Sequence, residues 1–154
     1  MNFSHGFLLF GVVLACYNLG TIWFCQLVIY PLFAKVGTEE YINYHKSYSS
    51  WIPIPVIVPG FASFFLPIAL VFLRPESVPL SIALANAACG LLSLIVTVAL
   101  QIPRHTRLEK GGKQEKVIQE LISYNWLRTF GITGSACLTI AMLTIAFTSP
   151  IFSF

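Results

Sequence analysis

Residues 101–129 read QIPRHTRLEKGGKQEKVIQELISYNWLRT, and their reading decides the fold. This is the longest polar run in a chain that is otherwise nearly all apolar. It carries six of the nine basic residues: Arg104, Arg107, Lys110, Lys113, Lys116 and Arg128. One apolar block feeds into it and another leaves it. Its two ends, Gln101-Ile102-Pro103-Arg104-His105 and Tyr124-Asn125-Trp126-Leu127-Arg128-Thr129, put polar groups where two membrane helices meet the membrane surface.

The chain around this run has 154 residues, of which 56% are hydrophobic and 10% charged. Its mean hydropathy is +0.79. A soluble domain carries roughly 25% charged residues. Four long apolar blocks with few charges predict membrane spans over 6–33, 51–73, 80–102 and 125–147. The expected fold class is an all-α membrane protein, a single four-transmembrane-helix bundle over 1–154. Its first partner is the lipid bilayer. The net charge of +3 does not point to nucleic acid, because the bases lie in loops beside the spans. No cleavable signal peptide is expected, since nothing basic precedes the first block and that block is too long.

The loops between spans one and two and between spans three and four hold Lys35, Lys46, Arg104, Arg107, Lys110, Lys113 and Lys116. Arg128 sits at their boundary, and only Arg74 lies in the middle loop. The positive-inside rule then places these two loops in the cytoplasm and both termini outside.

Within the spans, Trp23, Gln26 and Tyr30 are spaced i, i+3 and i+7, which predicts one helix face that Pro31 then interrupts. Gln26 and Asn18 should face other helices, because lipid offers an amide no partner. In the first loop, Thr38 is expected to cap a short helix. There Tyr41, Tyr44 and Tyr48 form a stripe beside His45, and the stripe reads as an interfacial anchor. Pro53 and Pro55 predict an extended start to span two, with regular helix from about Val56 to Pro59, and Pro67 a kink within it. Gly111-Gly112 should stop any helix begun at Pro103, and Lys113 to Leu121 reads as a helical lead into the last span. Ser149-Pro150 should end that span.

Several chemistries are excluded. The chain has no Asp, so a Ser-His-Asp triad is absent. No metal-ligand spacing occurs, so no metal site is expected. The four cysteines sit alone in apolar blocks and form no C-x-x-C pair, which reads as packing rather than redox chemistry. What remains is a polar set that the topology brings to one end: Gln26, Tyr30, His45, Gln101, His105, Asn125 and Arg128. Arg128 lies a turn inside its span and must either snorkel to the cytoplasmic surface or sit in a polar pocket with Gln101, Asn125 or Tyr30. His45 and His105 are the bases that titrate near neutrality on that side.

Gln101-Ile102-Pro103-Arg104-His105-Thr106-Arg107-Leu108, together with Asn125-Trp126-Leu127-Arg128-Thr129, resembles the anthrone-oxygenase-like family of four-helix membrane proteins. Tyr30-Pro31 fits the proline at the end of that family's first span. Where the family more commonly has Asn, this chain has His105. The resemblance implies a cofactor-independent oxygenase acting on a flat lipophilic small molecule. His105 or His45 would be the base. Gln101, Asn125 and Arg128 would be donors to an oxyanion. Trp23, Tyr30 and Trp126, with Gln26 nearby, would line the slot. Two other readings stay open: a non-enzymatic accessory subunit or small carrier, and a haem protein with His45 and His105 as axial ligands.

Overall fold

The computed structural model describes residues 2–148, and every described element is helical. Four helices are long and apolar enough to cross a membrane: α1 (Phe3–Phe33), α3 (Pro53–Leu73), α4 (Leu80–Gly111) and α5 (Glu115–Thr148). A shorter helix, α2 (Tyr41–Trp51), lies between α1 and α3. The fold is an all-α four-helix membrane bundle in which α1 packs on α3 and α5, and α4 packs on the same two.

Large apolar side chains such as Ile54, Phe72 and Phe130 stand exposed on its outside. In water that surface would drive aggregation; facing lipid it is the expected exterior. At one end, the loop residue Val78 packs with Leu8, Leu70, Met142 and Ala146, so the first turns of α1, the last turns of α5 and the 74–79 loop meet there. At the other, Tyr30, Phe33, Tyr41, Leu108 and Leu121 form a second core beneath α2. The predicted end at Ser149-Pro150 lies outside the described residues.

Close crossings are made at glycines. A Cβ on Gly90 of α4 would stand 3.0 Å from the Phe64 carbonyl oxygen of α3. One on Gly131 of α5 would stand 3.2 Å from the Cys89 carbonyl oxygen of α4. Buried polar groups then lock the helices together, as lipid-immersed bundles require. Asn86 donates to Thr139 Oγ1 at 2.9 Å and accepts from Ser135 Oγ at 2.6 Å, joining α4 to α5. Asn18 donates to the Pro59 carbonyl at 3.1 Å, joining α1 to α3.

Prolines shape the helices differently from the sequence expectation. Pro31 and Pro103 do not end α1 and α4. The residue before each bonds one position further back than usual, Tyr30 N–H to Cys25 O and Ile102 N–H to Thr97 O. Val58 N–H reaches Pro53 O in the same way, just before Pro59. A proline ring collides with the carbonyl four residues back and brings no N–H to it. Widening the preceding turn by one residue moves that carbonyl aside and lets the helix go on. The segment from Pro53 is therefore helical and not extended. The Pro55 carbonyl, left without a donor by Pro59, accepts the Tyr17 hydroxyl at 2.7 Å.

Other boundaries also differ from expectation. Thr38 caps nothing: α2 starts at Tyr41, with Glu40 before it and no side-chain cap. The Tyr stripe is not a surface anchor as a whole. Tyr41 is fully buried and only Tyr44 is exposed. Gly112, with φ of 72°, does stop α4, in a conformation that costs glycine nothing. Helix α5 takes in the polar lead and starts at Glu115. Lys113 seals the junction by donating to the Ala34 carbonyl at 2.8 Å, where α1 runs out of its own donors.

Candidate functional site

Helices α3 and α4 touch at Gly90 and diverge from there toward the α2 end. The gap is a cavity of about 350 Å³ lined by all five helices. Its walls are mainly apolar, from Ile22, Ile52, Val56, Phe61, Phe64 and Ile132, and Tyr48 of α2 contributes to the lining at the polar end. This volume lies at the lower end of the roughly 300–1,000 Å³ of ligand pockets. Polar groups gather at the inner end: Tyr30 from α1, Gln101 and His105 from α4, and Arg128 from α5.

These groups form a chain of hydrogen bonds. Arg128 Nη2 donates to the Tyr30 hydroxyl at 3.0 Å. A guanidinium can only donate, so the Tyr30 oxygen accepts and its own hydrogen is free for His105 Nε2, 3.4 Å away. With Nε2 accepting, neutral His105 carries its proton on Nδ1, which faces His45 Nε2 at 3.2 Å. His45 lies behind His105 and outside the cavity wall. Its ring sits fully buried among Phe33, Tyr41 and Tyr48. Burial pushes its pKa down, and the Glu109 carboxylate partly opposes that. Glu109 itself lines the cavity and accepts from Ser49 at 3.2 Å, tying α2 to α4.

Arg128 is 9% exposed. Its Nε is buried without a partner. The ion pairs among the described residues are Arg104–Glu120 and Lys113–Glu115, so no carboxylate pairs with Arg128. It reaches Tyr30 rather than the membrane surface.

No protein-family model, curated protein or solved structure matches the chain.

The polar residues singled out in the sequence divide into three groups. Tyr30, Gln101, His105 and Arg128 meet at the cavity. Gln26, Gln101 and Asn125 all point into the bundle, none more than 2% exposed. Yet Gln26 and Asn125 face each other between α1 and α5, where Asn125 Nδ2 donates to Gln26 Oε1 at 2.7 Å, and neither lines the cavity. Trp23 and Trp126 pack edge to face on another side of α1 and α5, with Trp23 Nε1 donating to Thr133 at 3.1 Å. They too are absent from the lining. The wide turn explains the split. One extra residue rotates the remainder of the helix by about 100°, so Tyr30 leaves the face of Trp23 and Gln26.

Sequence reasoning missed Tyr48, Gly60, Phe61 and Phe64, which line the cavity. Tyr48 carried a signal in sharing its stripe with buried Tyr41. The α3 residues carried none, since an apolar wall reads like any other part of a span.

Proposed function

We propose that this protein is an integral membrane enzyme that deprotonates and oxygenates a flat, lipophilic, enolisable ketone, in the manner of an anthrone oxygenase. The observation that carries this reading is the meeting of an imidazole, His105, with a buried guanidinium, Arg128, around Tyr30 at the end of an apolar cavity.

The chemistry needs a base, an oxyanion partner and a dry slot. His105 takes a proton from the carbon conjugated with the carbonyl. Its 3.4 Å contact to Tyr30 is long for a hydrogen bond, so a substrate hydrogen displaces it at little cost. The electron pair moves onto the carbonyl oxygen, where Arg128 and Tyr30 donate. Dioxygen, the oxidant, adds to the carbanion, and the proton returns to give a hydroperoxide. Loss of water leaves a new carbonyl, so CH₂ and O₂ become C=O and H₂O. His45 accepts from His105 Nδ1 and supports the imidazolium while the proton resides there.

The test is oxygen uptake and ketone formation by the purified protein with an anthrone in nanodiscs. His105→Ala should lose about 10²–10⁴-fold in turnover, the usual worth of a general base. Arg128→Lys should lose about 10²–10³-fold, as when one oxyanion donor is removed. Wild-type turnover in both folded variants, or no ketone from the wild type, overturns the reading.

A further inference from the structure

The charge of Arg128 is unanswered within the protein. A guanidinium is a cation that only donates hydrogen bonds. Arg128 is nine-tenths buried, and only Nη2 has a hydrogen-bond partner, a neutral phenol. The one carboxylate on the cavity wall, Glu109, is held by Ser49 at the α2–α4 rim. A buried cation with neither a counter-charge nor a full set of acceptors is destabilising. Something anionic at the inner end of the cavity would remove that cost.

The walls define the rest of the molecule. They are apolar, and the cavity lies between diverging α3 and α4, where exposed Ile57 and Ile102 belong to its lining. Both side chains stand on the apolar exterior of the bundle, so on that side the cavity borders lipid. We infer that the cavity is a binding site for a lipophilic organic anion, one carboxylate or phenolate oxygen on an apolar body, which enters from the bilayer and pairs with Arg128. Binding there needs no turnover, so its failure and the failure of the oxygenase reading are separate results.

The probe is anthracene-9-carboxylate, compared with neutral anthracene-9-methanol, titrated by fluorescence into nanodiscs of phosphatidylcholine. Protein-free nanodiscs give the partition background. The carboxylate should bind roughly tenfold or more tightly than the alcohol, as a charge-assisted hydrogen bond implies. Arg128→Met, similar in length and uncharged, should erase that difference. Gly60→Phe tests the site without touching Arg128. Gly60 lines the cavity and a Cβ there meets nothing within 4 Å, so a side chain can start from it without a clash and take up cavity space. Binding of both probes should fall. Displacement by palmitate would assign a flexible chain to the natural ligand. Its failure, with the carboxylate still bound, would assign a flat body, and both support the site. Equal affinity for acid and alcohol, a preference unchanged in Arg128→Met, or binding unaffected by Gly60→Phe overturns it.

Discussion

His45 shows what placement does to a single residue. In sequence it is one polar side chain in a loop; in the fold it is a buried ring between α2 and α4. Phe33, Tyr41, Tyr48, His105 and Glu109 surround it. Burial depresses its pKa, so the docked helix binds the proton less readily than the free one. Docking of α2 should therefore be at full strength above about pH 6.5, the ordinary histidine value, and weaken as pH falls through the lowered pKa. The protection factors of the α2 amides, that is, exchange rates corrected for the intrinsic rate at each pH, should fall on acidification from about pH 7 to about pH 5. The fall should be smaller in His45→Gln. An equal fall in that variant would show that another group is responsible.

Among the elements, α3 and α4 set the size of the cavity through one crossing and two proline-widened turns. The crossing at Gly90 has no room for a side chain, because the nearest atom is a helix carbonyl oxygen that cannot move alone. Gly90→Ala gains up to about 1 kcal/mol of helix propensity. Overpacking costs about 1–3 kcal/mol. The second should win, so unfolding in detergent should show lower stability, by up to about 2 kcal/mol once the propensity gain is taken off. A variant as stable as the wild type would mean that the helices separate freely there. Each widened turn leaves its helix continuous while turning its face, which is how Tyr30 comes to the cavity and Gln26 to the α5 seam.

The whole molecule is asymmetric along its axis. One end carries α2, the 112–114 connection and eight of the nine bases; the other carries the 74–79 loop, the start of α1 and the end of α5. An anionic inner leaflet attracts such bases by about 1 kcal/mol each. The basic end should therefore lie in the cytoplasm. Membrane-impermeant thiol labelling of Ser4→Cys and Gln114→Cys should place them on opposite sides, with Gln114 inside. Labelling on one side for both would break the antiparallel bundle.

The four spans were legible in the sequence because apolar length against bilayer thickness is a local property, readable block by block. So were the stop at Gly112 and the inward turn of Gln26, Gln101 and Asn125, since each stems from one residue's own chemistry. The resemblance rested on the two segments that supply His105 and Arg128, and Gln101, Asn125 and Tyr30 were all open to Arg128 as partners; only the fold selects Tyr30, for His105 and Arg128 alike. The sequence also offered no way to separate cavity residues from seam residues. Trp23, Gln26 and Tyr30 share ideal helical spacing, and only the widened turn before Pro31 sends them to different neighbours. The α3 wall and the burial of His45 depend on contacts between helices far apart in the chain. Tertiary structure alone decides them, because a cavity is a place where several elements fail to touch, and no single element encodes that.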